Sequence, residues 1–146
     1  IPNAHLVVCG DGPLRTDLEK LVASRGMTGS VTFLGHVAYD EMPAVYRGAD
    51  ALVLPSRAEG LPRTVLEALA SGVPAVVSDL EHVAPIVDGV GQSVPVGDRR
   101  GFTEALETVL QGTERQPREA IVDTHDWSDT VARTTTALER IADYKR

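Results

Sequence analysis

Residues 51–79 read ALVLPSRAEGLPRTVLEALASGVPAVVSD. Ala51 to Leu54 is a short apolar run closed by Pro55, and Ala75 to Ser78 is a second such run. Between them, Arg63 to Ser71 carries apolar residues at helical spacing, and Gly72 is placed to end the helix. The two runs are apolar throughout instead of alternating, which is the pattern of strands covered on both faces. Strand, helix, strand in this order is the unit from which parallel sheets are built.

The same alternation extends in both directions. Upstream, His5 to Cys9 and Val31 to Leu34 read as strands. Leu14, Leu18, Leu21 and Val22 mark a helix that Gly26 is placed to stop, with Pro13 at its first position. Met42, Val45 and Tyr46 suggest a short helix. Downstream, Gln92 to Val96 reads as a fifth strand, and Phe102, Ala105, Leu106, Val109 and Leu110 form an amphipathic stripe. Trp127, Val131, Leu138 and Ile141 suggest a last helix over 127–146, beyond a polar segment from Gly112 to Asp126. The expected fold class is therefore α/β, a Rossmann-like parallel sheet with helices on both faces. In such sheets ligands bind outside the carboxyl ends of the strands. That directs attention to the loops after Cys9, Leu54 and Ser78.

Composition narrows the function. The 146 residues suit one domain over 1–146. Fourteen Lys and Arg against 21 Asp and Glu give a formal net charge of −7, which argues against nucleic acid as a partner, since phosphate backbones are gripped by clustered cations. A small anionic ligand is compatible, because a few backbone N–H groups suffice to hold it. The single cysteine excludes an internal disulfide and a multi-cysteine zinc site, and it fits a reducing compartment. Cys9 itself reads as a small core residue. His5, His36 and His125 lack metal-ligand spacing. An aromatic content of 4% is too sparse for a sugar-stacking platform, which favours a nucleotide ligand over a lectin-like role. No apolar run reaches the roughly 18 residues of a membrane span. The chain opens on Ile1-Pro2-Asn3 and runs straight into a strand, as a segment of a longer protein would.

The loop Gly10-Asp11-Gly12-Pro13 offers backbone that can approach a ligand, and equally a plain tight turn. It is neither GxGxxG nor GxxxxGK, since position 15 is Arg15. The loop Pro55 to Pro62 is more informative. With a helix beginning near Pro62, Glu59 lies before it and Glu67 a little over one turn inside, roughly 7 Å further along the axis. Two carboxylates at different depths, with a helix N-terminus between them, suit a ligand that is polyol, phosphate and polyol in turn. A nucleotide sugar has that pattern. The competing reading makes Ser56-x-x-Glu59 a capping box and Glu67 a solvated helix residue. Yet Glu67 sits among Val65, Leu66, Ala68 and Leu69, which disfavours a fully wet position.

EGLPRTVLEALASGVPAVVSD resembles the donor-site segment of retaining glycosyltransferases of family 4 (group 1), built on the two-domain GT-B fold, which carries E-x7-E followed by A-x-A-x-G-x-P-V. GDGPLR, VTFLGHV and ADALVLPSRAEG match further blocks of that family in the expected order, and Trp127-Ser128 resembles the start of its C-terminal helix. The resemblance implies that this chain is the C-terminal, nucleotide-sugar-binding domain of such an enzyme, inactive alone. It implies that Glu59 meets the donor sugar as the catalytic-site carboxylate, and that Glu67 meets the ribose. It places the diphosphate against Gly60, Leu61, Pro62, Arg63 and Thr64, with Gly10 and Gly12 on the first glycine loop, and the base near Gly35 to Val37. It implies no metal and no cofactor beyond the nucleotide-diphosphate sugar, an N-terminal acceptor-binding domain on the same polypeptide as partner, and a cytoplasmic location, with any contact at the inner face of the membrane left to that other domain.

Two features depart from the family pattern. The Arg and Lys that usually neutralise the diphosphate precede the first strand read here and fall outside this sequence. Arg57 and Arg63 are candidates to supply charge in their place, or else surface ion-pair partners. The usual Gly-Gly pair after Ser-Asp is replaced: Ser78-Asp79-Leu80 leads to Glu81 and His82, side chains that obstruct close backbone approach. Three rivals stand beside the transferase reading. A nucleotide-sugar epimerase shares the architecture. A degenerate domain would explain Glu81-His82. A receiver-like module would need an acidic cluster after the first strand, where only Asp11 stands.

Overall fold

A computed structural model describes residues 1–112 and, beyond them, residues 128, 131, 132, 135 and 136. Ten elements alternate along the described chain: β1 (Leu6–Cys9), α1 (Arg15–Ser24), β2 (Val31–Gly35), α2 (Met42–Gly48), β3 (Leu52–Leu54), α3 (Arg63–Ala70), β4 (Ala75–Ser78), α4 (Ala84–Val87), β5 (Gln92–Val94) and α5 (Arg99–Gln111). Among the described residues every strand pairing is parallel. The α/β class with parallel strands and flanking helices is thus observed. Ser128, Val131, Ala132, Thr135 and Thr136 are helical. Trp127, Leu138 and Ile141 of the expected last helix lie outside the described residues.

The chain forms two compact units, Ile1–Gly48 and a second beginning at Ala49. In the first, β1 and β2 pair with Leu6 opposite Val31, and the register slips between Val8 and Cys9, so that Cys9 faces Gly35. Gly26 ends α1 at a φ of 67°. Its N–H donates to the Ala23 carbonyl, and that of Met27 to Val22, the paired bonds of a Schellman motif. Helix α1 begins two residues later than expected. Pro13 and Leu14 form a turn in which the Arg15 N–H donates to Gly12, and Leu14 is the N-cap.

The expectation that β1 is buried, with Cys9 in the core, is corrected. Leu6, Val7 and Cys9 are exposed, and only Val8 is half-buried. A unit of two short strands and two helices has too little volume to cover both faces of its sheet.

The described residues of the second unit hold three strands in the order β3-β4-β5. Side chains alternate across β4 with period two, and this divides the core. Ala75 and Val77 pack against Val65 and Leu69 of α3 and Val83 and Val87 beside or within α4. Val76 packs with Val94 of β5 and Ala105 of α5, joined by Phe102, Leu106 and Val109. Helices therefore cover both faces, and all four residues of β4 are buried. Burying each valine contributes about 1.5–3 kcal/mol.

Two glycines set the close approaches at the edge where strands enter. Gly72, at a φ of 75°, closes α3: its N–H donates to Leu69 and that of Val73 to Ala68, a second Schellman motif. A side chain at Gly91 would collide with the Ala75 carbonyl oxygen, so the start of β4 and the approach to β5 require bare backbone there.

Helix α4 was not expected. It is four residues long with Pro85 in its first turn, too short to show a period. The fifth strand ends at Val94, two residues before the expected Val96.

Candidate functional site

The loop between β3 and α3 carries the first carboxylate. Glu59 is exposed, and the Ser56 hydroxyl donates to its Oε1 at 2.6 Å. Ser56 does not cap a helix, because α3 starts seven residues later with Pro62 at its N-cap position. The capping-box reading therefore fails. The serine instead holds one carboxylate oxygen in place and leaves the other with acceptor capacity.

Pro62 is buried, whereas Gly60 and Leu61 before it and Arg63 and Thr64 after it are exposed. A side chain at Gly60 would meet no protein atom within 4 Å. The space before the helix is therefore open. The N–H groups of Val65 and Leu66 donate to the Pro62 carbonyl, at 3.0 and 3.3 Å. No side chain caps the helix, and its first turn contains no acidic residue. A helix N-terminus carries partial positive charge, and Arg63 adds a full one at the same end.

Glu67 is the fifth residue of α3, its side chain 28% exposed. The apolar residues around it have drawn it partly out of water, as expected. Its Oε1 lies 3.8 Å from Nη2 of Arg63, one turn earlier. Arg63 itself is well exposed, so solvent screens the pair. In this segment, then, two carboxylates flank an uncapped helix start with a cation on it.

The expected residues of the first unit gather at the carboxyl ends of β1 and β2. The Gly10 N–H donates to the Gly35 carbonyl at 2.7 Å, tying the glycine loop to the loop that follows β2. Gly10 and Gly35 have φ values of 108° and 72°, where glycine is favoured. The Gly12 N–H is taken by Asp11 Oδ1 at 2.8 Å. Val37 is half-buried beyond Gly35.

After β4, the Asp79 N–H donates to Val94 at 2.7 Å, and the Leu80 carbonyl accepts from Val83 and Ala84. Glu81 and His82 are exposed in this turn. Arg57 is exposed too. Among the described residues no group of three or more His, Cys, Asp and Glu is placed to hold a metal ion. No helix there is long and apolar enough to cross a membrane.

Three features escaped the sequence reading. Ser56 has the spacing of a cap but donates to Glu59 in the loop. Arg15, within GDGPLR, reaches the Phe33 carbonyl at the end of β2. Ser78 is buried, and its hydroxyl has no hydrogen-bond partner among the described residues. A serine ending an apolar strand was the available signal for the last of these; the other two arise from contacts that spacing does not disclose.

Comparison with known proteins shows the family. Residues 1–112 match the family described as "Glycosyl transferases group 1". The chain is 34% identical over 120 residues to the alpha-D-kanosaminyltransferase of Streptomyces kanamyceticus, covering 81% of this chain and 31% of that protein. It is 33% identical over 139 residues to the sulfoquinovosyl transferase SQD2 of Arabidopsis thaliana, covering 87% and 26%. Among solved structures, sucrose-phosphate synthase from Thermosynechococcus elongatus superposes with a TM-score of 0.84 at 23% identity, over 100% of this chain and 40% of that one. The chain thus spans about a quarter to a third of the curated relatives' length. With its fold matching GT-B glycosyltransferases and its sequence matching their family over most of its length, the chain belongs to the group 1 glycosyltransferases.

Proposed function

We propose that the chain binds the nucleotide-sugar donor for a retaining glycosyl transfer. The observation that carries this reading is the start of α3, uncapped and cationic, between Ser56-anchored Glu59 and half-buried Glu67. The helix N-terminus and Arg63 suit the diphosphate, whose growing negative charge on departure is what an electrostatic catalyst must stabilise. Arg57 adds charge from the same loop. The free oxygen of Glu59 accepts from a sugar hydroxyl. Glu67, deeper along the helix, accepts from the ribose hydroxyls. Gly60, Leu61, Pro62 and Thr64 provide backbone at the phosphates. The resemblance of GDGPLR and VTFLGHV to the family's other blocks supports Gly10 and Gly12 as donor-side backbone and the Gly35–Val37 loop as the seat of the base. No metal is needed in this reading, because helix and arginine supply the positive charge. The acceptor is held by a separate N-terminal domain of the same polypeptide, so this chain binds donor weakly and transfers nothing alone.

Amide titration by NMR with UDP, GDP, ADP and dTDP tests it. Millimolar affinity amounts to only about −4 kcal/mol, within the reach of that method. Selective shifts at residues 59–67 and at Gly35–Val37 are expected with one base preferred. Glu67→Ala should abolish the response to ribose nucleotides while leaving the fold intact. Silence toward all four, repeated with the chain extended at its N-terminus, overturns the donor reading.

A further inference from the structure

Arg15 reaches across the first unit in a way the donor reading leaves unused. It is the first residue of α1, yet its guanidinium lies over the end of β2. Nη2 is 3.5 Å from the Phe33 carbonyl, the long limit for such a bond. Nη1 sits where a side chain on Gly35 would be, 2.9 Å from that glycine's ideal Cβ. Two carboxylates hold the guanidinium there: Glu19 accepts from Nε at 2.9 Å, and Asp11 lies 3.6 Å from Nη1. Asp11 is itself bonded to the Gly12 N–H. One planar cation therefore joins the glycine loop, the first turns of α1 and the left-handed turn at Gly35. The bond from Gly10 N–H to the Gly35 carbonyl closes the same ring of contacts from the backbone side. The register slip between Val8 and Cys9 lies directly before this point, so the strands alone do not set how the two loops meet.

We propose that Arg15 is a positioning residue: its guanidinium locks the Gly10–Gly12 and Gly35–Val37 loops into one arrangement and so sets which nucleotide base the donor site prefers. The selectivity part rests on the donor reading above; the locking does not. Glycine at 35 is favoured by its backbone angle, and a side chain there would push the guanidinium out of its place. The fork matters more than the charge, because only a planar group can face a carbonyl, a glycine and two carboxylates together.

The test compares the 146-residue chain with Arg15→Lys, which keeps the charge and loses the fork, and Arg15→Met, which keeps the stem alone. Ligand-free amide spectra and hydrogen exchange are recorded first. Both variants should shift the Gly10 and Gly35–Val37 resonances and speed their exchange about tenfold or more, while β4 amides stay put. Titration with UDP, GDP, ADP, dTDP and inorganic diphosphate follows. The preferred nucleotide should weaken about tenfold and the four should converge, with affinity for inorganic diphosphate unchanged. Wild-type resonances and exchange at both loops in Arg15→Lys overturn the locking. An equal loss for every nucleotide and for diphosphate overturns the selectivity role, since that is the mark of general destabilisation. If neither the wild-type chain nor the same chain extended at its N-terminus binds any of the four, the donor reading and the selectivity role fall together, and the ligand-free spectra still decide the locking. Should Arg15→Met not fold, Arg15→Lys carries the comparison.

Discussion

Strands β1 and β4 are both four residues long, and their sequences, LVVC and AVVS, are close to interchangeable. Their surroundings are opposite. Every residue of β4 is buried, whereas Val7 in β1 is 45% exposed and Leu6 51%. β4 lies between two strands and under helices on both faces. β1 pairs with β2 in a unit of forty-eight residues. An apolar run therefore specifies extended backbone, and burial is decided by how many layers the rest of the unit supplies.

The sharpest way to break the contrast is to empty the core beside β4. Leu69 is fully buried on α3, and Leu69→Ala should cost about 3–5 kcal/mol, measured by denaturant unfolding. A matched pair of truncations tests the strands directly. Val77→Ala in β4 should cost about 2 kcal/mol, and Val7→Ala in β1 less than about 0.5 kcal/mol. Equal losses would show that the two strands share one environment. Ser78→Ala probes the one polar side chain buried in β4. Because its hydroxyl has no partner among the described residues, removing it should leave stability unchanged or raise it by up to about 1 kcal/mol. A loss would mean that the hydroxyl is satisfied by water.

The smallest effect concerns Cys9, at the end of β1. Desolvation pushes its thiol above its ordinary 9.0 even though the residue is exposed. The thiolate is the reactive form. Cys9 should therefore react with a disulfide reagent at pH 8 more slowly than in the unfolded chain. The folded state holds the proton more tightly than the unfolded one, so the associated stability is complete below pH 9.0 and declines as pH rises past it. Cys9→Ser should lack that alkaline decline.

Much of the second unit was legible in the residues. The apolar runs at 52–54 and 75–78 are strands, and α3 ends at Gly72 because a left-handed residue was needed there. The stop at Gly26 follows for the same reason. The position of Glu67, half in and half out of water, could be read from its apolar neighbours. What escaped lacked either length or locality. Helix α4 has four residues and a proline, so no period exists to be read. Pro13 suited a first helical position, but Gly12 and Arg15 close a turn around it instead. The bond from Ser56 to Glu59 has the spacing of a capping box without the helix. Arg15 lies eighteen residues from Phe33, and no local pattern announces that meeting.

The return from α3 to β4 takes only Ser71 to Pro74, and within it the Gly72 and Val73 N–H groups donate to the Leu69 and Ala68 carbonyls of α3. Such a short link fixes where the next strand begins, whatever happens at the far end of the helix. The loop before α3 can thus change length or composition without shifting the register of β3 on β4. For a family whose named members transfer different sugars, that arrangement lets the loop vary while the scaffold is inherited. Grafting residues 55–62 from a relative into this chain is an exchange of one replaceable part.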